Sequence, residues 1–519
     1  MKEKFEQKKL EWWQERDIFI VALLVGLLTH AYMMTNKFPN VDDYVSMFHY
    51  GQGYALGRWF LALMGNFMFR IDGTYSLPFF NGTIYLCTLI LSVIIFLKPF
   101  RFRSRWTKRI FAALFVSFPT ATATMGFMFT APFYGLAVLF MAIAFYVLVQ
   151  YKYGFLFSAL LICCSLGIYQ AYWGLIAGFL LLYLMTLCME KESSPRDIIL
   201  LAVKSLVTLL AGVILYLIVN NIMLHIQGVE MVQYQGANKM GTLDFAQIPM
   251  IIKNAYSYFF LFTTQNYLFV TWYPLVRVII GIGYLLTALT CICICFRKHL
   301  HILKKLGLVI FLSVFPLAVN SIYILCNDAT SVHTLMCYSV VLVFLIPFVM
   351  LQGAINASTR NHLFIGIKYL YLAAVLLVTV FYVRFANIYY LNLQLAYEET
   401  YSFMETLSTR IQDTEGYDDD YPILFYGTYD QIVNRNIWEL RMVNNMFGTI
   451  DVNDVINHYL IRQGFSRVYL GNQFYETFDR SVIDNHPTQI AEMPCYPDDG
   501  SIQIIDEVIV IKFSQVINQ

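Results

Sequence analysis

Residues 37–70 read KFPNVDDYVSMFHYGQGYALGRWFLALMGNFMFR and follow the apolar run at residues 18–34. Because that run is about as long as the roughly 20 residues of a membrane helix, Asp42 and Asp43 are expected at a membrane–water boundary. One-sided hydration of a carboxyl group raises its pKa and suits it to act as a base. The alternative interpretation is a hydrated loop in which an aspartate caps a helix.

Tyrosines follow the two acids. If the chain is helical after Pro39, then Asp43, Tyr50 and Tyr54 share one side, since positions i, i+7 and i+11 return to nearly the same angle. Phenol rings beside a carboxylate suit a sugar, whose C–H face stacks on aromatic rings. Several glycines between Tyr50 and Trp59 weaken a continuous helix here.

Composition places the chain in the membrane class. Hydrophobic residues make up 58% of the chain, charged residues make up 13%, and the mean hydropathy is +0.58. Ordinary soluble domains are less hydrophobic and carry about 25% charged residues. The net charge of +1 gives no general attraction to nucleic acid, so no nucleic-acid partner is predicted.

The apolar runs predict about eleven transmembrane helices, the first of them a retained anchor rather than a cleaved signal. The ten runs after residues 18–34 are 78–97, 110–128, 132–150, 155–171, 174–189, 200–222, 274–295, 306–326, 335–352 and 365–385. Basic residues cluster between the second and third runs and between the eighth and ninth. The positive-inside rule therefore predicts a cytoplasmic N-terminus, an outer loop at residues 36–77 and an outer C-terminal region.

The cysteines give no metal or disulfide framework. Cys291, Cys293 and Cys295 lie in an apolar run without acidic or histidine neighbours, which favours packing over zinc binding. Cys326 and Cys337 flank one outer loop, and the sequence leaves open whether they pair. No phosphate-binding loop or dinucleotide fingerprint is present, so neither an ATP-driven pump nor a nicotinamide enzyme is predicted.

After residue 385 the chain becomes polar, and residues 386–519 are predicted to form a small α/β domain. Leu393, Tyr397, Met404, Leu407 and Ile411 recur at helical spacing, which predicts an opening amphipathic helix. Strands are predicted at residues 423–426, 467–470 and 508–513, and a helix at residues 452–463. Residues 1–385 form the predicted transmembrane domain.

The motifs NVDDY at residues 40–44, GRW at residues 57–59 and MPCYPDDGSIQIID at residues 493–506 stand near the two ends of this polytopic chain. With them the sequence resembles bacterial membrane glucosyltransferase family II, known from O-antigen modification and grouped with the C-type glycosyltransferase (GT-C) fold. The resemblance implies an enzyme of the bacterial cytoplasmic membrane. It would move a hexose, often glucose, from undecaprenyl phosphate to a surface polysaccharide or lipid-linked glycan on the outer side.

The chemistry that the resemblance implies requires one base and cations for the departing phosphate. Asp42 or Asp43 is the expected base of an inverting displacement: Asp42 is favoured because it comes first after Val41, whereas the spacing to Tyr50 and Tyr54 favours Asp43. Tyr50, Tyr54 and Trp59 are the expected sugar contacts. No cofactor or metal is predicted, because a lipid monophosphate donor does not require one.

The candidates for the donor phosphate are arginines expected near the outer surface: Arg58, Arg70, Arg277 and Arg384. Arg70 and Arg384 are equally explained as interfacial side chains that reach the membrane surface. Two rival functions remain open. One is a flippase or transporter for lipid-linked sugars, although the runs carry few charges between their ends. The other is a polysaccharide polymerase, which the C-terminal position of the polar domain disfavours only by analogy.

Overall fold

The computed structural model describes residues 2–46, 53–68, 75–232, 247–297, 300–326, 332–356, 361–430 and 437–515. The chain divides into two compact units. Met1–Lys37 and Tyr50–Asn387 form the first, here the membrane unit, and Phe38–His49 with Ile388–Gln519 form the second, here the C-terminal unit. The division after Asn387 lies close to residue 385, the boundary proposed from composition. The sequence pattern did not indicate that residues 38–49 belong with the C-terminal unit.

The chain up to residue 412 is helical in its described parts. The helices are α1 (Lys2–Thr35), α2 (Val41–Ser46, in the C-terminal unit), α3 (Trp59–Met68), α4 (Pro78–Leu97), α5 (Arg105–Ser117), α6 (Pro119–Gly126), α7 (Ala131–Gln150), α8 (Phe155–Leu166), α9 (Trp173–Met189), α10 (Pro195–Gln227), α11 (Ile248–Leu261), α12 (Pro274–Cys295), α13 (Ile302–Val319), α14 (Ile322–Leu325), α15 (Ile346–Asn356) and α16 (Asn361–Gln412). Short 3₁₀ helices lie at Gln170–Tyr172, Thr334–Met336 and Tyr338–Phe344.

Within the described residues, nine helical segments are long and apolar enough to cross a membrane. They are Glu15–Thr35, Pro78–Leu97, Ala131–Gln150, Gln170–Met189, Pro195–Gln227, Pro274–Cys295, Ile302–Val319, Tyr338–Asn356 and His362–Gln412. On α10, Ile199, Leu206, Leu210, Ile214 and Ile218 are exposed, as expected of a helix face in contact with lipid. The protein is therefore a mostly helical, multi-pass membrane protein.

Two of the predicted runs are not among these nine segments. The run at residues 110–128 is divided between α5 and α6, because Phe118 takes an extended conformation before Pro119. Proline lacks a backbone N–H and disfavours a helical conformation in the residue before it. The run at residues 155–171 contains α8, which has only 12 residues before the Gly167 turn.

The C-terminal unit contains a three-stranded sheet and short helices. Its strands are β1 (Ile423–Tyr426), β2 (Ile502–Ile505) and β3 (Val508–Lys512). Its further helices are α17 (Trp438–Val443), α18 (Val452–Asn457), α19 (Tyr459–Phe465), α20 (Ser481–Asn485) and α21 (Pro487–Glu492), with a π-helical turn at Ser466–Leu470. The strand order is β1-β3-β2, with β3 parallel to β1 and antiparallel to β2.

Both faces of this sheet are covered. Ile509 and Ile511 of β3 pack with the buried Met404, Leu407 and Ile411 of α16. The alternate residue Val510 packs with a second set on the opposite face: Leu424, Val482, Ile490, Met493 and Ile505. The predicted amphipathic spacing of α16 and the strand at residues 423–426 are thus confirmed.

Two predicted elements of this unit are wrong. Residues 467–470 form a π-helical turn that continues from α19 and ends at Gly471, which has a φ of 65°. Their β-branched and aromatic side chains contribute to packing instead. The Tyr469 ring, for example, packs against the Phe465 ring. The single helix predicted at residues 452–463 is interrupted at His458, which has an extended backbone between α18 and α19.

Candidate active site

Asp42 and Asp43 lie in the first turn of α2, and the turn is capped by Asn40. The Asn40 Oδ1 accepts hydrogen bonds from the backbone N–H groups of Asp42 at 2.8 Å and Asp43 at 3.1 Å. In return, the Asp43 Oδ2 accepts from the Asn40 N–H at 3.0 Å. This reciprocal pair is a capping box, and it assigns Asp43 a structural role in holding the helix start.

The two acids also differ in exposure. Asp43 is buried, with 4% of its surface exposed, whereas Asp42 is half-buried. Residues 53–57 form a turn and not a helix, so the helical alignment predicted for Asp43 and Tyr54 is wrong. Tyr50, the third residue of that alignment, lies outside the described residues.

Helix α2 rests on α19 of the C-terminal unit. A Cβ atom at Gly464 would collide with the Tyr44 backbone, so the absence of a side chain allows the close approach of the two helices. The Tyr44 ring lies 5.6 Å from the Phe465 ring and 5.9 Å from the Tyr469 ring, measured between centroids. The C-terminal unit therefore carries the acids that the sequence pattern assigned to a loop of the membrane domain.

Half-buried tyrosines surround the acids within this unit. The Tyr397 and Tyr469 ring centroids are 5.1 Å apart, and those of Tyr397 and Tyr401 are 6.1 Å apart. Burial, followed by the Asp43 charge and Tyr397, raises the pKa of Tyr469 well above its usual value. Tyr469 is therefore a neutral hydroxyl group at physiological pH. Sequence patterns missed Tyr397 and Tyr469 because only the folded chain brings them to α2.

In the membrane unit, Arg58 follows a tight turn. The Arg58 N–H donates to the Gly53 carbonyl at 2.8 Å, and Gly57 has a φ of +74°, in the left-handed region that favours glycine. The Gly57 carbonyl accepts from the Gln170 Nε2 at 3.1 Å and from the Tyr216 hydroxyl at 3.0 Å. The turn is thereby fixed to α10 and to the 3₁₀ helix at Gln170–Tyr172.

An aromatic ring lies beside the Arg58 guanidinium. The Arg58 Cζ lies 5.3 Å from the Tyr169 ring centroid, within the range of a cation–π interaction. Tyr169 itself stacks on Tyr134 at a centroid distance of 4.7 Å. A guanidinium is a planar fork of donors, and this shape suits it to bind two phosphate oxygens.

Trp59 has a packing role in this structure. Its ring is 7% exposed, and a Cβ atom at Gly167 would lie 2.6 Å from it. The Gly167 carbonyl accepts from the Phe60 and Leu61 N–H groups at 2.8 and 3.1 Å. The GRW motif thus anchors the start of α3 to the turn after α8, and the predicted sugar contact of Trp59 stays a prediction. Tyr54, in the adjacent turn, is half-buried.

The other predicted phosphate ligands have different surroundings. Arg277 donates to the carbonyls of Thr271 at 2.9 Å and Thr264 at 3.2 Å, so it closes the segment before α12. Arg384 is exposed and donates to the Tyr273 hydroxyl at 2.8 Å. Arg70 lies outside the described residues.

Metal and disulfide chemistry have little support in the described part of the chain. No group of three or more His, Cys, Asp or Glu side chains there is arranged to hold a metal ion. Cys326, Cys337 and Cys291 are buried, and no disulfide joins Cys326 to Cys337.

Comparison with known proteins gives a match to a protein family. No curated protein and no solved structure matches the chain. The family model described as glucosyl transferase GtrII matches residues 31–344, a range that includes NVDDY and GRW but ends before the C-terminal motif. Because this match covers more than half of the sequence, the chain belongs to the GtrII family of membrane glucosyltransferases.

Proposed function

We propose that this protein transfers a hexose, glucose in the simplest case, from a polyprenyl phosphate to a cell-surface glycan, with Asp42 as the general base. The observation that carries the assignment is the capping box at α2. Asp43 uses its carboxylate to hold the helix start, whereas Asp42 contributes its backbone N–H to the cap. The half-buried Asp42 is then the acid suited to take a proton from an acceptor.

The proposed reaction is a single displacement. The Asp42 carboxylate takes the proton of the acceptor hydroxyl as that oxygen attacks the anomeric carbon. The bond between the anomeric carbon and the phosphate oxygen breaks on the opposite face, and the lipid phosphate leaves as an anion. The products are an inverted glycoside, polyprenyl phosphate and a protonated Asp42. A phosphate is a good leaving group, so no second working carboxyl is needed, in contrast to glycosidases.

Arg58 is the proposed partner of the departing phosphate. Its turn is held by hydrogen bonds to the Gly57 carbonyl, and its guanidinium lies within cation–π distance of the Tyr169 ring. Charge that develops on a leaving phosphate is stabilised most by donors that are fixed before the reaction. Arg277 already satisfies backbone carbonyls, so its proposed contribution is to support the segment at residues 264–272.

We propose eleven crossings and a GT-C-like fold, and contacts within the membrane unit support the number of crossings. Lys98 lies over the Tyr146 ring, so α4 and α7 end on the same side. Since α7 begins on the other side, α5 and α6 together cross between them. Lys204, early in α10, donates to the Tyr151 carbonyl, which puts the end of α7 beside the start of α10. Segment α8, with the 3₁₀ helix after it, then crosses before α9 returns.

The side of the membrane unit on which α4 and α7 end is here called the basic end, and it is proposed to face the cytoplasm. Its cations include Lys98, Arg101, Arg103, Arg105, Lys108, Arg109, Lys191, Arg196, Lys304 and Lys305. Arg58, Arg277 and Arg384 belong to segments at the end of the membrane unit that lies opposite the basic end. This supports their proposed outer location. An odd number of crossings then puts the C-terminal unit outside, in the cytoplasmic membrane of a bacterium.

The proposal is tested with isolated membranes, a radiolabelled polyprenyl-phosphate glucose and surface polysaccharide as acceptor. Transfer predicts label in the polysaccharide as a hexose with inverted configuration, in an amount that depends on this protein. A flippase would leave the bond between sugar and phosphate intact. A polymerase would lengthen the polysaccharide chains instead of adding single hexoses. Either result would replace the transferase proposal.

A further inference from the structure

The basic end of the membrane unit contains a cavity of about 220 Å³. Its lining comes from the connection between α4 and α5, the end of α9 and the end of α15. The polar lining residues are Arg101, Glu190, Lys191, Glu192, Gln352 and Asn356. A water molecule occupies about 30 Å³, so the cavity is large enough for a phosphate group and its first substituent.

A buried lysine stands behind one wall of this cavity. Lys368 is only 3% exposed, and its Nζ donates to the Gln352 Oε1 at 3.0 Å and lies 6.0 Å from the Phe102 ring centroid. No carboxylate pairs with Lys368 anywhere in the described ranges. A buried charge without an opposite charge is costly, and a nearby anion would offset that cost.

Gln352 lies between Lys368 and the cavity and is hydrogen-bonded to Lys368. Its Oε1 accepts from both Lys368 and the Arg103 backbone N–H, the latter at 3.1 Å, so the side-chain oxygen is turned away from the cavity. Its Nε2 donates to the Asn356 Oδ1 at 2.8 Å, and both residues line the cavity. The second amide N–H of Gln352 is thus a donor available to a ligand on this wall.

The surrounding charge is positive in sum. Arg297 donates to the Ala354 carbonyl at 3.1 Å, and Lys304 donates to the Glu190 carbonyl at 2.6 Å, which brings two more cations to the cavity. Glu190 and Glu192 oppose them. The cations Arg101, Arg103, Lys191, Arg297, Lys304 and Lys368 outnumber these two acids.

We infer that this cavity binds a phosphate group, with an anionic phospholipid headgroup of the adjoining leaflet as its source. Arg101 and Lys191 contact the phosphate oxygens, Gln352 donates from the wall, and Lys368 supplies the charge behind it. Basic pockets between transmembrane helices on the cytoplasmic side are typical sites for acidic headgroups. This site is separate from the hexosyl transfer and does not depend on it.

The test uses the full-length protein purified in neutral detergent, with native mass spectrometry to measure lipid retention. The probes are phosphatidylglycerol and diacylglycerol of the same chain length, which differ by the phosphate headgroup. Because only phosphatidylglycerol offers a phosphate that accepts charge-assisted hydrogen bonds, it should be retained at least about tenfold more tightly than diacylglycerol. Equal retention of the two lipids would overturn the inference.

Two variants and a control locate the site. Arg101→Gln changes an exposed side chain and leaves the fold intact. This variant should retain the two probe lipids almost equally. Lys368→Gln should have the same effect. Lys152→Gln removes an exposed cation that does not line the cavity, and it should keep the wild-type preference. A loss of preference in Lys152→Gln equal to that in Arg101→Gln would indicate general surface charge and overturn the site.

Inorganic phosphate distinguishes the two sources of the anion. If millimolar phosphate displaces phosphatidylglycerol from the wild type but not from Arg101→Gln, the site binds soluble phosphate as well as lipid. If phosphate has no effect while the lipid preference persists, the headgroup within the leaflet is the ligand. Retention of phosphatidylglycerol by Arg101→Gln at the wild-type level would contradict both.

Discussion

Asp43 and Asn40 cap the first turn of α2 reciprocally: the Asp43 Oδ2 accepts from the Asn40 N–H at 3.0 Å, and the Asn40 Oδ1 accepts from the Asp43 N–H at 3.1 Å. Asp451 and Asp454 form the same arrangement at the start of α18, with distances of 3.1 and 3.2 Å. The C-terminal unit therefore contains a matched pair of capping boxes. In the first of them the residue before the capping acid is Asp42, where the second has Asn453, and this separates the structural acid Asp43 from the proposed catalytic one.

Asp42→Asn is expected to lower hexosyl transfer by roughly 10²- to 10⁴-fold, because an amide cannot accept a proton at neutral pH. Binding of the donor and the melting temperature should stay at their wild-type values, since the cap uses the Asp42 backbone N–H, which asparagine keeps. Single-turnover transfer and a donor-binding assay measure the two effects separately. Wild-type transfer by a folded Asp42→Asn protein would remove Asp42 from the base role.

Asp43→Ala is expected to destabilise the protein by about 1 kcal/mol through loss of the cap. Asp454→Ala is its matched control, because it removes the equivalent acid from the second capping box. Thermal unfolding of the two variants should show similar losses. Transfer should fall only in Asp43→Ala, because loss of this cap disturbs the helix that carries Asp42. The fall should be partial, because Asp42 itself is retained. Complete loss of transfer in a folded Asp43→Asn protein would instead make Asp43 the base.

Arg58→Lys is expected to impair donor binding or transfer although the charge is kept, because an ammonium cannot hold two phosphate oxygens in a planar fork. Arg384→Lys is the control: its exposed side chain contacts Tyr273, and its loss should have a smaller effect. Steady-state kinetics with varied donor concentration measure both variants. Wild-type turnover in Arg58→Lys would exclude the phosphate role.

Gly57→Ala tests whether the turn positions Arg58. Alanine in the left-handed region costs about 1–2 kcal/mol, and here its Cβ would also meet the Tyr216 hydroxyl at 2.5 Å. Gly228→Ala carries the same strain at a φ of +64°, but no atom lies within 4 Å of the added carbon. Both variants should lose stability, and only Gly57→Ala should lose transfer by a larger factor than its unfolded fraction explains. Equal activities at equal folded fractions would contradict a positioning role.

Reporter fusions test the orientation and the number of crossings. With eleven crossings and a cytoplasmic N-terminus, a fusion at Gln150 lies inside and one at Gln519 lies outside. If only the nine long segments crossed, the turn after Gln150 would lie outside. An alkaline phosphatase fusion should therefore be inactive at Gln150 and active at Gln519. Activity at Gln150 would reject the crossing of α5–α6, and activity at both Gln150 and Gln519 would reject the crossing of α8 as well.

Periodicity and composition predicted most elements of this fold, because long apolar runs and a switch to polar sequence are local signals. The strand at residues 423–426 and the buried face of α16 are of this kind. The break at Phe118–Pro119 was also readable, since proline restricts the residue before it. The spacing Asn40-x-x-Asp43 is a capping signature, and it favours the helix-cap alternative for Asp43.

The remaining features depend on contacts between distant parts of the chain. No local pattern shows that Tyr44 packs against Phe465, so the assignment of residues 38–49 to the C-terminal unit required the structure. Residues 467–470 have strand propensity, but the packing of Tyr469 against Tyr44 and Tyr397 overrides it. The contacts of Gly57 with Gln170 and Tyr216 are equally non-local.

The most direct test compares surface polysaccharide from three strains: one without the gene, one with the wild-type gene and one with Asp42→Asn at the same protein level. Glycosyl composition and linkage analysis measure the hexose attached to the polysaccharide. The proposed transfer predicts an additional hexose branch in the wild-type strain alone. The same hexose content and linkages in the strains with and without the gene would contradict the proposed transfer, and a full branch content in the Asp42→Asn strain would contradict its proposed base.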